Sequence, residues 1–173
     1  MMKIFSICII IFTIFLNAVN AEQKIVFLDM DRIVSTSNTG LSIINQLKDL
    51  SDKNLTFLNE QENDFKEKES KLISQKNIIS ESEFKNKADK LKKEINVLNK
   101  NRNKIITDFN KLKIKNTNKL LKMINTILMK FSNDNSISFI LQKKDLVVGK
   151  SELDITDEIL KIVNNEVKSF KIK

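Results

Sequence analysis

The chain has 173 residues, with 30 lysines and arginines against 22 aspartates and glutamates, and a formal net charge of +8. It contains no histidine, no proline and no tryptophan, and it has two glycines and one cysteine. The lack of histidine excludes the ordinary nucleophile–base pairs and histidine-based zinc or copper sites. Because tight turns draw on glycine and proline, their scarcity indicates few turns and long helices. We therefore expect a mainly α-helical protein that is not an enzyme and needs no cofactor.

Residues 1–21 are predicted to be a secretory signal peptide. A short positive start, MMK, precedes an apolar run from Ile4 to Leu16, and Val19 and Ala21 stand at the −3 and −1 positions of a cleavage site. The run is too short to span a bilayer comfortably, although an N-terminal membrane anchor is the alternative interpretation. Cleavage near Ala21 would remove Cys8, the only cysteine, from the exported chain. The mature protein would therefore form no disulfide.

Residues 22–40 and 132–173 are predicted to form a small head. The apolar run Ile25–Leu28 is typical of a buried strand, and the sequence SNTG after it predicts a turn or a helix cap. ISFIL at 137–141 and DLVVG at 145–149 predict two more short strands. An amphipathic helix over residues 154–170 is expected to close the chain, with Asp154 or Thr156 as its N-cap.

Three short strands bury little apolar surface and leave open sheet edges, so the head is expected to be stable only in an obligate oligomer. The residues that we assign to this assembly are Ile25, Phe27, Ile140, Val147 and Ile159.

Residues 41–131 are predicted to form an antiparallel helical hairpin with its tip near residues 78–84. The first helix, Leu41–Ile79, would be about 60 Å long. Its apolar stripe is weak, with Glu62 and Glu69 in places that suit leucine; the stripe includes Leu41, Ile44, Leu47, Leu55, Leu58, Phe65, Leu72 and Ile79. No glycine or proline enforces a bend, so one continuous helix is the alternative.

A second helix is predicted to begin at Ser80, because Ser80 and Glu83 have the spacing of a capping box. Its stripe is regular and is interrupted once, at Arg102; it comprises Phe84, Ala88, Leu91, Ile95, Leu98, Ile105, Phe109 and Leu112. A denser apolar face follows at Leu120, Ile124, Ile127, Leu128 and Phe131. This density indicates that the helix leaves a two-helix arm there and enters a fuller core.

The second helix is strongly basic. Residues 85–119 contain twelve lysines and arginines against three acids, a local charge of +9, whereas residues 60–69 carry five acids and two lysines. Pairing across the hairpin would account for part of this contrast. The remaining excess predicts a positive field that attracts acidic proteins, anionic lipid headgroups or nucleic acid.

The order of these segments resembles the Skp/OmpH family of periplasmic chaperones. The resemblance covers the mature chain: the export signal, the opening KIVFLDMDRIV, the TG before the first helix, the tip IISESEFKNKADKLKKE and the ending SFILQKKDLVVGKSELDITDEILKIVN. It implies a periplasmic homotrimer with a β-barrel-like head and three helical arms. In this family the arms enclose unfolded outer-membrane proteins without ATP and prevent their aggregation.

Under this interpretation clients are held by many weak contacts along the basic arm and at its apolar tip. The residues that we assign to client binding are Ile78, Ile79, Phe84, Lys85, Lys87, Lys92, Lys93, Lys100 and Lys104. The alternatives are a basic envelope coiled-coil protein that binds lipopolysaccharide or nucleic acid, and a structural spacer of the envelope. Export and the lack of stacking aromatic residues disfavour nucleic acid, so we expect no nucleic-acid partner. Contact with anionic lipid or lipopolysaccharide stays open.

Overall fold

The structure, a computed structural model, describes residues 23–173. Strand β1 (Lys24–Leu28) leads through a short helix, α1 (Met30–Thr36), into the long helix α2 (Asn38–Ser74). A turn joins α2 to the longest helix, α3 (Glu81–Asp134). Strand β2 (Ile137–Gln142) and helix α4 (Thr156–Glu166) follow. The predicted signal peptide lies outside the described residues.

The head contains a parallel sheet of two strands, β1 and β2, and not the three strands that the sequence predicts. Residues 145–149 form no strand, because within residues 23–173 they have no strand partner. The edge of β1 away from β2 is occupied at Phe27 by a bridge to Asp154 and by the Ile155 N–H, which donates to the Phe27 carbonyl at 2.9 Å. Val147 and Val148 are consequently left fully open to solvent.

Helix α1 was not expected from the sequence, which predicts only a turn between β1 and the first long helix. Asp29 starts it: its side chain accepts a hydrogen bond from the Arg32 N–H at 2.8 Å. Ser37 then ends α1 and caps α2, with its hydroxyl accepting from the Gly40 N–H at 3.1 Å. The predicted cap at SNTG is therefore confirmed, and α2 begins at Asn38 and not at Leu41.

Helices α2 and α3 form an antiparallel pair, here called the arm. Glu62 contacts Arg102, and Lys68, nearer the tip, contacts Glu94, so the two helices run in opposite directions. The hairpin is thus confirmed, and the single continuous helix is wrong. Helix α2 ends at Ser74, five residues before the predicted end at Ile79, and residues 75–80 form the turn.

The tip turn is held by the cap that the sequence predicts, but only in part. The Ser80 hydroxyl accepts from the Glu83 N–H at 3.2 Å, as expected for the first half of a capping box. The Glu83 carboxylate does not complete the box; it pairs with Lys87 at 3.0 Å. Lys87 also donates to the Gln75 side chain at 3.1 Å and so ties the end of α2 to the start of α3.

The core lies where the bases of α2 and α3 meet the sheet, α1 and α4. Every one of these elements except β2 contributes a fully buried side chain, and Ile137 of β2 is nearly fully buried. The fully buried apolar side chains are those of Leu28, Ile33, Leu120, Ile124, Ile159 and Val163. Helix α4 ends at Glu166, before the predicted end at Phe170, and the last seven residues continue without regular structure. Among the described residues, no helix combines the length and apolarity that a bilayer crossing requires.

Candidate functional site

The arm is thinly packed along most of its length. Between Lys48 and Lys115 only Leu58 is buried, and the stripe residues of α3 from Phe84 to Leu112 are half-buried or more exposed. On α2 the stripe is shifted from the prediction near the head: Leu41, Ile44 and Leu55 are exposed, whereas Ile43 is buried. A strict seven-residue spacing drifts by about 20° per heptad on a straight helix, so the predicted stripe turns away from the partner.

Two ion pairs join the helices of the arm. Arg102 Nη1 lies 2.6 Å from Glu62 Oε1, and Lys68 Nζ lies 2.9 Å from Glu94 Oε2. The hydrogen bond from Lys68 lowers the pKa of the Glu94 carboxyl below its ordinary value. Lys68 also stands over the Phe65 ring at 5.2 Å. All four charged side chains are between about a third and a little over half exposed, so water screens each pair and it contributes little stability.

The basic face of α3 is not neutralised by the acids of α2. Within residues 23–173, two of the twelve cations between positions 85 and 119 form ion pairs: Lys87 with Glu83 and Arg102 with Glu62. Only the second of these partners comes from the acidic stretch of α2. The six lysines predicted to bind clients are all exposed; they are Lys85, Lys87, Lys92, Lys93, Lys100 and Lys104. The arm therefore keeps a positive surface along one helix.

The tip presents apolar side chains to solvent. Ile78, predicted from the sequence, is 79% exposed, while Ile79 and Phe84 are half-buried between the helices. Ile73, which the sequence analysis did not single out, is 62% exposed beside them. Its position off the seven-residue stripe was the available signal, because an apolar residue there cannot face the partner helix.

Further exposed apolar residues lie along the sides of the arm. The sequence analysis did not single out Phe57, Val97, Ile106 and Ile114, and it assigned Leu55 to the apolar stripe of α2, although Leu55 is 56% exposed. Phe57 and Val97 line a shallow groove of about 400 Å³ between the helices, together with Phe65, Lys90 and Lys93. Asp64 and Glu94 also line this groove, so it places apolar surface beside charges of both signs, which suits a chain segment that carries apolar and charged residues.

The residues assigned to assembly occupy two different settings in the head. Ile25 is 42% exposed on the outer face of the sheet, next to Phe139 and Leu141, which are 56% and 41% exposed. Val147 is fully exposed in the segment that crosses this face. By contrast Phe27 is buried, Ile140 is half-buried against the core, and Ile159 is fully buried within the protomer.

The crossing segment, residues 143–154, is fixed to the sheet at two points. The Gly149 backbone lies over Phe27 so closely that a Cβ at this position would come within 2.6 Å of the ring, so any other residue there would force the ring to move. Lys143 pairs with Asp154 at 2.8 Å, and Asp154 accepts a further hydrogen bond from the Thr156 N–H at 3.0 Å. Burial raises the pKa of the Asp154 carboxyl, but the bonds from Lys143 and Thr156 outweigh it and hold the pKa below its ordinary value.

Comparison with protein families matches residues 24–163 to a family described as outer membrane protein (OmpH-like). Among solved structures, the chain is similar to an OmpH-like protein from Caulobacter crescentus CB15 that is proposed to be an outer membrane chaperone. The two share 15% sequence identity with a TM-score of 0.81, and the similarity covers 87% of this chain and 89% of the other. At this identity the likeness shows a common fold. A search of curated proteins gave no match.

Proposed function

Because this chain belongs to the OmpH-like outer membrane protein family, we propose that it is a periplasmic holdase chaperone. It binds unfolded outer-membrane proteins between its helical arms and prevents their aggregation without ATP. The observation that carries the proposal is the surface of the arm, where unpaired lysines and exposed apolar side chains occur on a thinly packed hairpin.

This surface suits clients of varied sequence. Many weak contacts, each readily broken, allow one surface to accept different chains, as in other promiscuous binders. The lysines of α3 would attract clients at a distance, and the apolar residues at the tip and along the sides would hold them once they arrive. The half-buried seam leaves the two helices free to adjust their spacing to clients of different size.

Assembly into a homotrimer completes the proposal. The outer face of the sheet carries Ile25, Phe139 and Leu141, and the segment that crosses it exposes Val147 and Val148 to solvent. An apolar face of this kind is stabilised by burial against another copy of the same chain. Three arms projecting from one such head would surround a shared cavity.

The test is an aggregation assay. Purified mature protein is mixed with a β-barrel membrane protein diluted from urea, and light scattering is followed without nucleotide. Suppressed scattering at one trimer per client supports the proposal, and unchanged scattering at that ratio contradicts it. Lipopolysaccharide and double-stranded DNA, added in parallel at the same charge concentration, test the alternative of a merely basic envelope protein.

A further inference from the structure

The C-terminal residues 167–173, here called the tail, lie outside the part of the chain that matches the family. They leave α4 in an extended conformation and pass along the bases of α2 and α3. Their apolar side chains alternate with lysines towards the end: Phe170 and Ile172 are half-buried against the core, while Lys171 and Lys173 are exposed. The tail is thus bound to the head as a short peptide would be.

The main contact with the tail backbone comes from one side chain, the carboxamide of Gln46. Its Nε2 donates to the Phe170 carbonyl at 3.0 Å, and its Oε1 accepts from the Ile172 N–H at 3.1 Å. In an extended chain these two groups, two residues apart, point to the same side, so a single amide satisfies both as a neighbouring strand would. Gln46 is held ready for this contact, since its Nε2 also donates to the Ser42 carbonyl at 3.1 Å.

Side-chain contacts add selectivity to this backbone recognition. Lys119 Nζ lies 3.9 Å from the centre of the Phe170 ring, a cation–π contact that favours an aromatic residue at that position. Ile172 packs on the core two residues later. Backbone hydrogen bonds give affinity for any extended chain, and the two side-chain positions select an aromatic residue followed at the second position by an aliphatic one.

We propose that the groove formed by Gln46, Lys119 and the adjoining core surface is a binding site for extended aromatic–x–aliphatic segments of unfolded clients, and that the tail is its displaceable resident. This inference rests on the proposed function. Strands of transmembrane β-barrels alternate apolar and polar residues with a period of two and carry aromatic girdles, so their unfolded chains contain many such segments. Because a short tether links the tail to the groove, its effective concentration there is high. The tail therefore covers the groove until client segments compete with it for binding.

The test measures peptide binding to the full-length mature chain by fluorescence anisotropy. The probe is a labelled peptide with the sequence of residues 166–173, EVKSFKIK, and the control peptide is EVKSSKSK. Releasing the tail with Phe170→Ser and Ile172→Ser should tighten binding of the probe at least tenfold relative to the unaltered chain. Adding Gln46→Ala to the released variant should remove that gain. Equal binding by the unaltered and released chains, or equal binding of the two peptides, would overturn the proposal and leave the tail as a structural clasp.

A second measurement applies if the released variant does not fold. Hydrogen exchange at the Ile172 amide of the unaltered chain should accelerate when an unfolded β-barrel protein is added, because displacement frees that amide from Gln46. Unchanged exchange contradicts the proposal. If protection of the Ile172 amide from exchange rises with protein concentration, the groove binds the tail of a second copy. That result also contradicts the proposal. The two proposals can fail separately. If the chain binds the probe but does not reduce client aggregation, the groove proposal stands and the chaperone proposal is wrong.

Discussion

Arg102 Nη1 donates a hydrogen bond to Glu62 Oε1 at 2.6 Å, which joins the residue that interrupts the apolar stripe of α3 to one of the two that interrupt the stripe of α2. Each of them looks like a defect in its own stripe. Together they fill one layer of the arm with a charged pair that is about half exposed. Such a pair adds little stability, roughly 0–1 kcal/mol, while apolar side chains in the same layer would add more. The arm is therefore less stable at this layer than it would be with apolar side chains in place of the charged pair.

Replacing both residues, Glu62→Leu with Arg102→Leu, should stabilise the arm by about 1–2 kcal/mol through added apolar burial. Circular dichroism should show the midpoint of thermal unfolding rise by several degrees. The matched control, Glu60→Leu with Lys104→Leu, places leucines at exposed positions and should not raise it. An equal rise in both double variants would contradict the assignment of Glu62 and Arg102 to the seam.

Charge reversal on α3 tests the electrostatic part of client capture. Changing Lys85, Lys92, Lys100 and Lys104 to glutamate lowers the charge of residues 85–119 from +9 to +1 and spares Lys87, which holds the tip. Association with an unfolded client, followed by stopped flow, should slow and lose most of its salt dependence, because exposed charges are screened over about 8–10 Å. The control changes the same lysines to arginine and should behave as the unaltered chain. Unchanged rates in the glutamate variant would refute the electrostatic attraction.

Val147 and Ile159 separate assembly from folding. Val147→Asp adds a charge to a fully exposed position, so the protomer should fold while the oligomer dissociates in sedimentation experiments. Ile159→Asp buries a charge in the core of the protomer and should unfold the head instead, with loss of helical signal. Lys150→Asp, at an exposed neighbouring position, serves as the control. An intact trimer in the Val147→Asp variant would exclude this face as the assembly site.

Asp154 makes the stability of the head depend on acid pH. Its pKa is lower in the folded chain than in the unfolded chain, so its stabilising contribution is present above the ordinary aspartate value of about 3.9 and is lost as the pH falls further. Urea unfolding should show Asp154→Asn to be destabilising at pH 7 by about 1–3 kcal/mol. The difference from the unaltered chain should shrink as the pH falls below about 4. Asp145→Asn, at an exposed position, is the control and should not be destabilising at pH 7.

Cleavage after residue 21 is a further prediction. Mass spectrometry of the protein recovered from the periplasm should give Glu22 or a near neighbour as the first residue. A recovered chain that still begins with MMK would contradict the export signal, and the periplasmic location with it.

The helices could be predicted from the sequence because their signals are local. Ser80 marks the start of α3 through a cap to a residue three positions away, and the regular stripe that follows fixes the face it buries. The predictions that failed concern segments whose structure depends on contacts with distant parts of the chain. Residues 145–149 have the composition of a strand, but the edge of β1 at Phe27 is occupied by Asp154. Composition alone does not reveal which segment takes an edge.

The same reason explains the end of α4. Residues 167–170 continue an amphipathic pattern, yet the Val167 carbonyl accepts a hydrogen bond from the Thr39 hydroxyl at 2.7 Å, and Gln46 holds the chain beyond it. Both partners lie more than 120 residues earlier in the sequence. The basic face of α3 was visible in the sequence, but the exposure of Leu55, a member of the predicted stripe, depends on how the two helices are rotated against each other.

The parallel pairing of β1 with β2 has a consequence for how the chain folds. More than a hundred residues separate Leu28 from Ile137, so the first strand to be synthesised waits for nearly the whole chain before its partner exists. Contacts between such distant segments form slowly, whereas a helical hairpin built from local contacts forms fast. We therefore expect the arm to fold before β1 and β2 pair. Until then each new chain carries an unpaired KIVFL strand, and in that interval it has the same aggregation hazard as the proteins it is proposed to protect.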